Sequence, residues 1–466
     1  MKGILDELPE SLDDTYERVL RSINKANRDH ALRLLQCITA VVRPLRVEEL
    51  AEVLAVDFDA ARNGGIPTLK PDWRWSDQHQ AVLATCSSLI AIVDDGYSQV
   101  VQFSHFSVKE FLTSDRLACS SGDVSRYHIL LSPAHTILAQ ACLGVLLSLH
   151  LDEHITEDNI SGIPLARYAA RYWVDHARFE DVSSRIQDVM EYFFDAKKPH
   201  WAAWHRAYDI DNRDWLYFTP RPVILRPSPL YYAALCGFYD LAEQQVVKNP
   251  EHVNTKGGQM VTPLVAALSR SHFRTADLLH KHGSDINARG AGELTALHEA
   301  SVVGLVDIMR WLLDHGADVN ARAVDGFTPL HLFGVLLRPK ISRMLLEHHA
   351  DVNARDKFGK APLHWAAMAK HIGDAKGMLK TMQLLLDHGA DPNVRDDGGC
   401  TPLHDSSRWE SEDYGPRRGM VEGSRLLLDH GANIDAENNE GKTPLQLALK
   451  AGYREMAEFL SGRGAK

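Results

Sequence analysis

A four-residue phrase, Thr-Pro-Leu-His, recurs at nearly constant spacing through the second half of the chain and restricts the fold strongly. Full copies begin at Thr328 and Thr401, and variants occupy the other positions. The seven copies begin at Ser228, Thr262, Thr295, Thr328, Ala361, Thr401 and Thr443. Their first residues are 34, 33, 33, 33, 40 and 42 residues apart. Such a period predicts a solenoid of stacked repeats, because one unit of this size cannot bury its apolar face alone.

The residue types within each copy suit a pair of helices followed by a turn. The Thr hydroxyl can cap a helix N-terminus, and Pro at the first helical position loses no hydrogen bond. A second helix, with Ile308, Trp311 and Leu312 on one face, precedes Gly316, which can end it in the left-handed conformation. His349 stands where other copies carry this Gly, so we expect a strained helix end there.

Two phrases in phase, Thr-Pro-Leu-His and His-Gly-x-Asp-x-Asn, resemble the ankyrin repeat over residues 227–466. The resemblance implies an α-solenoid of about seven repeats. The two long spacings predict insertions between the first and second helices of two repeats, around Ala369–Lys380 and Glu410–Met420. Such insertions are either docking loops or tolerated decoration.

Composition excludes several classes of partner. The net charge of −11 disfavours general binding to nucleic acid or to an anionic membrane, which needs basic clusters. The longest apolar stretch, Ile137–Leu151, is interrupted by Gln140 and Ser148, so it predicts a buried helix and no membrane span. Six cysteines are scattered without a C-x-x-C pair, which predicts reduced thiols and a cytoplasmic protein.

Residues 1–120 show helical periodicity followed by a predicted β-hairpin. A capping box at Ser11-x-x-Asp14 and three short helices precede a further helix near 78–87, and the hairpin covers Leu89–Phe103 with a turn at Asp94–Gly96. Helices followed by a hairpin indicate a winged helix. A DNA-reading function is disfavoured, because the helix before the hairpin carries no Lys or Arg.

Three phrases in this region resemble one family. Leu8–Arg18, Arg43-Pro44-Leu45 and Phe103–Leu112 look like the winged helix that follows the ATPase core in fungal NACHT-type signalling proteins, relatives of NOD-like receptors. The resemblance implies that His105 contacts the β-phosphate of ADP bound to such an ATPase. The alternative is a packed histidine at a strand end.

This chain contains no G-x-x-x-x-G-K-[ST] phosphate-binding loop, so His105 would need an ATPase domain in cis or in trans. We expect the chain to begin where the family's ATPase ends. No arrangement of residues predicts a catalytic centre, a metal site or a cofactor of its own, and we expect no enzymatic activity.

Residues 121–226 predict a helical, aromatic-rich spacer. Several aromatic residues cluster towards its end, namely Trp201, Trp204, Tyr208, Trp215, Tyr217 and Phe218. Such a cluster can be a ligand box or a stacking platform for bases. With few basic neighbours in regular phase, core packing at a domain joint is the preferred interpretation.

The ankyrin resemblance implies a concave binding surface formed by hairpin tips and first helices. Positions beside the repeated His and at the hairpins supply the predicted partner-binding residues, which are Glu299, Phe327, Leu332, Phe358, Trp365 and Asp405. Trp, Phe and Leu side by side are typical anchors of protein interfaces. The sequence therefore predicts a non-catalytic protein-interaction and regulatory module. The alternative is a free-standing ankyrin scaffold or adaptor without nucleotide-linked switching.

Overall fold

The computed structural model describes residues 12–59, 65–86, 88–120, 122–149, 162–195, 197–198, 200, 204, 208, 210, 227–336, 338–368, 375–408 and 420–466. The chain forms two compact units. One comprises Met1–Arg213 and Ser228–His252, and the other comprises Asp214–Pro227 and Val253–Lys466. Helices dominate both units, as predicted. The capping-box residue Ser11 and the phrase Leu8–Ser11 lie outside the described residues.

The first unit begins with short helices around a small sheet. The helices are α1 (Leu12–Ser22), α2 (Arg28–Ala40), α3 (Val47–Val53) and α4 (Gln78–Cys86), and the strands are β1 (Leu45–Arg46), β2 (Val56–Asp57), β3 (Thr68–Leu69), β4 (Ile90–Asp94) and β5 (Gln99–Phe103). Strand β5 pairs antiparallel with both β1 and β4, so the sheet order is β1-β5-β4. Strand β2 pairs with β3. This arrangement confirms the predicted winged helix.

The wing is a two-stranded hairpin with a polar turn. Ile92 lies opposite Val101, and Asp94 lies opposite Gln99. The Asp95 carboxylate accepts hydrogen bonds from the backbone N–H groups of Tyr97 (3.0 Å) and Ser98 (2.8 Å). These bonds close the turn because aspartate can bond its own backbone two residues on. The predicted turn at Asp94–Gly96 is therefore confirmed.

The rest of the first unit is helical in its described residues. Its helices are α5 (Phe106–Leu112), α6 (Asp115–Ala118), α7 (Leu131–Ser148), α8 (Ala166–Ala177), α9 (Val182–Arg185), α10 (Gln187–Phe193), α11 (Pro229–Cys236) and α12 (Tyr239–Lys248). Residues 182–193 form two short helices, α9 and α10, and not one continuous helix. Helices α11 and α12, which carry the first repeat phrase, belong to this unit.

Helix α7 forms the centre of this unit. It begins six residues before the predicted stretch and, by length and composition alone, is long and apolar enough to cross a bilayer. It packs against α2 and α8, however, and Leu138, Leu143 and Leu146 are fully buried. The apolar side chains of α7 are therefore part of the core of this unit, as predicted for a buried helix.

Trp204 is the described member of the aromatic cluster whose packing is clearest. Its ring meets Trp173 edge-on at 5.3 Å and Tyr232 at 5.7 Å between centroids. Its indole Nε1–H donates to the carbonyl of Ala170 at 2.7 Å, and its side chain is fully buried. A buried indole with its polar atom paired is a core residue. Core packing is therefore confirmed at Trp204, while Trp201, Trp215, Tyr217 and Phe218 lie outside the described residues.

A buried histidine relay crosses the same core. The Val42 N–H bonds the Tyr168 hydroxyl oxygen (3.3 Å), which lies 2.9 Å from Nε2 of His176. His176 Nδ1 lies 2.9 Å from Nδ1 of His135. Because a neutral imidazole carries one N–H, His176 donates through one ring nitrogen and accepts through the other. Burial, together with His135, lowers the pKa of His176 to about 3.

The second unit contains six helix pairs among its described residues. They are α13 (Pro263–Ser269) with α14 (Phe273–Lys281), α15 (Ala296–Val303) with α16 (Val306–Asp314), α17 (Pro329–Leu336) with α18 (Pro339–Glu347), α19 (Pro362–Met368) with α20 (Ala375–Asp387), α21 (Pro402–Ser407) with α22 (Met420–Asp429), and α23 (Pro444–Lys450) with α24 (Arg454–Gly462). Each pair begins at a copy of the repeat phrase, so the predicted solenoid is confirmed.

The departures from the repeat fall where the sequence placed them. His349 ends α18 with a φ of 65°, a left-handed conformation that its glycine counterpart Gly316 adopts at 88°. A histidine held there is strained, at a cost of about 1 kcal/mol. Both insertions separate first from second helices, but Ala375–Lys380 is the beginning of α20 instead of loop. Residues 369–374 and 409–419 lie outside the described residues.

The repeated histidines join neighbouring repeats. In the four copies that carry the histidine, its Nδ1 accepts the backbone N–H of the residue that begins the phrase, as between His331 and Thr328 (3.1 Å). Its Nε2–H must then donate, and it faces the carbonyl of the next hairpin. These Nε2-to-oxygen distances are 3.1 Å from His298 to Phe327, 3.1 Å from His331 to Lys360, 3.0 Å from His364 to Cys400 and 3.0 Å from His404 to Lys442. The histidine is thus a buried bridge between repeats.

Two further ladders run through the turns. The Asn320 side chain accepts the Asp351 N–H at 2.7 Å, and Asn353 does the same for Asp391 at 2.9 Å. Arg322 donates to the Arg355 carbonyl at 2.8 Å. The Asn-x-Arg spacing that produces both ladders is visible in the sequence. The repeat phrase His-Gly-x-Asp-x-Asn includes its Asn but not its Arg.

We predict that acid destabilises the array through these histidines. Burial lowers the pKa of both His298 and His364 to about 4. Between about pH 6.5 and 4, the unfolded chain therefore binds more protons than the folded chain. The free energy of unfolding decreases as the pH is lowered through that window. Replacing His364 with Gln should reduce the loss between pH 7 and 5 by about 2 kcal/mol, measured by urea unfolding at both pH values.

Glutamine is a suitable replacement because the last repeat already uses it. Gln446 occupies the histidine position, and its side-chain oxygen accepts the Thr443 N–H at 3.4 Å. His364→Ala removes the bridge as well as the titration, so it should be less stable than the wild type at both pH values. An unchanged pH dependence in His364→Gln would show that this histidine is not the source.

Candidate functional site: the concave surface of the array

The first helices of successive repeats bring equivalent residues into one row. Helices α15, α17, α19, α21 and α23 pack each against the next. The residue after the bridging histidine lies at the same position in each of them. We call Glu299, Leu332, Trp365 and Asp405 the concave row. The first three are half-buried, so the structure leaves part of each side chain open to a partner.

Asp405 does not match the exposure predicted for it. It is buried, with 4% of its surface exposed. The Lys360 ammonium lies 2.7 Å from the Asp405 carboxylate and 2.9 Å from that of Asp396. Asp405 is buried because the hairpin residue Lys360 reaches over it and neutralises it. Its expected exposure on the concave surface is therefore wrong.

An aromatic pair occupies the middle of the concave row. The rings of Phe327 and Trp365 lie 5.2 Å apart at an interplanar angle of 52°. The Trp365 indole N–H donates to the Asp356 carboxylate at 2.9 Å. The other oxygen of Asp356 accepts the backbone N–H of Phe358 at 2.8 Å. Asp356 thereby holds both its own hairpin and the indole, and the aromatic pair is preorganised.

Phe358 and Leu332 complete the apolar part of the surface. Phe358 lies on the hairpin tip and is 48% exposed. Its carbonyl accepts the Asp397 N–H at 3.0 Å, so neighbouring hairpins are joined backbone to backbone. Leu332 is half-buried on α17, between Glu299 and Trp365 in the concave row. The structure therefore leaves both side chains accessible in the part of the array predicted to bind a partner.

Glu299 is the acidic member of the row with no cation beside it. No described residue forms an ion pair or a hydrogen bond with its carboxylate. Burial raises the pKa of Glu299 to about 7. Asp405, two repeats beyond Leu332 in the same row, is in contrast paired with Lys360. The concave surface therefore presents one partly desolvated acid beside apolar and aromatic side chains.

The Lys360 cluster also resembles a metal site in its spacing. Possible ligand atoms of His364, Asp396 and Asp405 lie within 4.8 Å of one another. Both nitrogens of His364 are engaged, however, with the Ala361 N–H and the Cys400 carbonyl, each at 3.0 Å. Burial opposes the charge on Lys360, but the two carboxylates outweigh it and raise the pKa of Lys360. We therefore interpret the cluster as an internal ion-pair network.

His105 is exposed at the start of α5. Its Nδ1 accepts the Ser107 N–H at 3.3 Å and lies 2.7 Å from the Ser107 hydroxyl, which lies 2.7 Å from the Tyr16 hydroxyl. The alternative of a packed histidine is therefore wrong. With Nδ1 accepting, Nε2 carries the proton, and no described residue accepts a hydrogen bond from it. Neighbouring Phe106 is 70% exposed.

Sequence reasoning missed Asp356 and Asp396, which position the aromatic pair and the ion pair. A signal existed, because Asp356, Asp396 and Asn438 occupy one position in three successive hairpins. Each uses one side-chain oxygen to accept the N–H four residues on, at 2.9, 2.8 and 2.9 Å. The second contact of each aspartate, from Asp356 to the Trp365 indole and from Asp396 to the Lys360 ammonium, depends on which side chain lies within reach.

The bridged helix pairs and hairpins define a solenoid repeat protein, and comparison with known families agrees. Residues 230–323, 321–396, 341–415 and 374–466 match the family described as ankyrin repeats (3 copies). Together these matches cover just over half of the chain, which therefore belongs to the ankyrin-repeat family. Residues 16–122 match the family described as GPI inositol-deacylase, winged helix domain.

Two curated proteins are similar to parts of the chain. Azaphilone pigments biosynthesis cluster protein L from Monascus ruber is 31% identical over 299 residues, which is 60% of this chain and 61% of that protein. Alpha-latrocrustotoxin-Lt1a from Latrodectus tredecimguttatus is 35% identical over 71 residues, 15% of this chain and 5% of the toxin. The chain thus spans about three fifths of the length of the Monascus relative and a small part of the toxin.

We predict that Lys360 is structurally indispensable although it lies at the predicted binding surface. Lys360→Met leaves Asp405 buried without a cation and should lower the free energy of unfolding by about 3–5 kcal/mol. Lys357→Met removes an exposed ion pair with Asp325 and should change the free energy of unfolding by about 1 kcal/mol or less. Urea unfolding followed by circular dichroism measures both. Equal effects would contradict the assigned network.

Proposed function

We propose that this chain is a non-catalytic protein-recognition and regulatory module that binds a protein partner on its concave row. Ankyrin repeats generally serve protein interaction, and ankyrin and winged-helix domains are typically non-catalytic. The observation that carries the proposal is the half-exposed Phe327–Trp365 pair, held in place by Asp356. Aromatic residues that are rigid before binding contribute strongly to interfaces, because little side-chain entropy is lost.

The finer proposal is the sensor part of a fungal NACHT-type signalling protein. The match to a winged-helix family over residues 16–122 and the likeness to a fungal protein support it. The exposed Nε2–H of His105 could donate to a phosphate oxygen of ADP on an ATPase domain supplied in cis or in trans. Partner binding to the array would then bias a two-state equilibrium of the ATPase. The second candidate is an ankyrin adaptor without this nucleotide link.

We further propose a cytoplasmic location, with neither nucleic acid nor membrane as partner. The net charge of −11 and the scattered cysteines support this assignment. Cys37, Cys119, Cys142, Cys236 and Cys400 are free thiols.

We predict that Trp365→Ala and Phe327→Ala each weaken partner binding about tenfold or more while the array stays folded. Truncation removes apolar contact area from the partner, whereas each ring is only half-buried in the free chain. The measurement is titration calorimetry with a partner captured by the full chain and then purified. Val247→Ala, at a 70% exposed position on α12, is the control and should bind normally.

Thermal melting separates this role from a purely structural one. Each variant should keep a cooperative transition near that of the wild type. Collapse of the transition in either variant would mean that the ring is a core residue, and unchanged affinity would remove the concave row from the interface.

The nucleotide link is tested first by the intact mass of the native protein captured with an antibody to the repeats. A mass some tens of kilodaltons above 52.1 kDa is expected if an ATPase domain precedes these residues. In that longer protein, His105→Ala should weaken retention of labelled ADP, because one hydrogen bond to the phosphate is lost. A mass near 52.1 kDa, with no ATPase bound in trans, would favour the adaptor.

A further inference from the structure

Two consecutive repeats pair the same two positions across their boundary. At these two boundaries, the residue that precedes one repeat phrase reaches the concave-row residue of the following repeat. The Phe327 and Trp365 ring centroids are 5.2 Å apart, and the Lys360 ammonium lies 2.7 Å from the Asp405 carboxylate. One hydrogen bond defines this hairpin position throughout the array, since its carbonyl accepts the N–H four residues earlier. These two boundaries therefore share the side-chain pairing as well as the backbone arrangement.

The same bond places Val261 at the corresponding position for Glu299. The Val261 carbonyl accepts the Gly257 N–H at 2.8 Å, as the Lys360 carbonyl accepts the Asp356 N–H at 2.9 Å. The chain therefore supplies a cation for Asp405, whereas the hairpin position that corresponds to Lys360 carries the uncharged Val261 one repeat before Glu299. A partly buried carboxylate without a counter-charge is unfavourable, so a cation from outside would be stabilising there.

Apolar surface begins immediately beside this acid. The Phe327 carbonyl bonds Nε2 of His298 at 3.1 Å, and His298 adjoins Glu299 in the chain. The Phe327 ring contacts the Trp365 ring, and Leu332 lies between Glu299 and Trp365 in the concave row. Aromatic faces also attract cations. The ligand chemistry that matches this order is a basic group followed closely by an apolar one.

We propose that Glu299 binds the lysine or arginine side chain of an extended protein segment whose adjacent apolar residue packs on Leu332, Phe327 and Trp365. This deepens the proposed function and rests on it, since it names the chemistry of the partner on the concave row. Charge complementarity favours this occupant over an acidic one, because the chain carries a net charge of −11. A second copy of this chain would share that negative charge.

The experiment uses the full chain and a phage-displayed library of short random peptides. Selected peptides should be enriched in lysine or arginine next to an apolar residue. The strongest binder is then synthesised with its basic residue intact or replaced by alanine, and both forms are titrated against wild-type chain and Glu299→Gln. The control is Glu347→Gln, because Glu347 is an exposed glutamate on the second helix of its repeat, away from the concave row.

Glu299→Gln should weaken the basic peptide about tenfold, and the alanine peptide should bind wild type and Glu299→Gln equally. Glu347→Gln should bind like the wild type. Selection of acidic or purely apolar peptides, selection of none, or a basic preference that survives in Glu299→Gln would overturn the proposal.

The same titrations distinguish this inference from the proposed function. Peptides that lose affinity with Trp365→Ala, but are indifferent to Glu299→Gln, would leave the concave row as the binding surface and remove only the basic partner. Peptides indifferent to both substitutions bind elsewhere, and that result would count against both proposals.

Discussion

The hydrogen bond from each buried histidine to the carbonyl of the next hairpin is the interaction on which the array depends. It satisfies a helix N-terminus in one repeat and a hairpin carbonyl in the next with a single neutral ring. It requires one tautomer, because Nδ1 must accept while Nε2 donates. Four such bridges in succession therefore set the spacing of the repeats, and their burial makes the array sensitive to acid.

That spacing has a consequence for function, because it brings each hairpin residue against the first helix of the following repeat. The outcome then depends on the pair of residues that meet. Phe327 and Trp365 form an aromatic surface, Lys360 and Asp405 form a buried ion pair, and Glu299 has no cation beside it in the described part of the chain. The same backbone arrangement thus produces a preorganised aromatic pair, a buried ion pair and a partly desolvated acid in three nearby repeats.

Periodic features were predictable and side-chain pairings were not. The helix pairs, the wing hairpin and the strained end at His349 followed from local patterns, since each depends on neighbouring residues. Asp405 was expected to be exposed because the ankyrin resemblance places the position after the repeated His on the concave surface. The neutralising Lys360 lies 45 residues earlier, so that no local pattern links the two.

The sequence by itself determined the class of fold, the number and phase of the repeats and the histidine that recurs in four of them. Backbone hydrogen bonding and helical periodicity act over a few residues, so they can be predicted from the sequence alone. Only the tertiary structure decided which of the row residues are open to a partner, that Asp356 holds Trp365, and that His105 is exposed. Burial and electrostatic pairing are properties of neighbours in space, and the stacking of repeats places residues about 30 to 45 positions apart in contact.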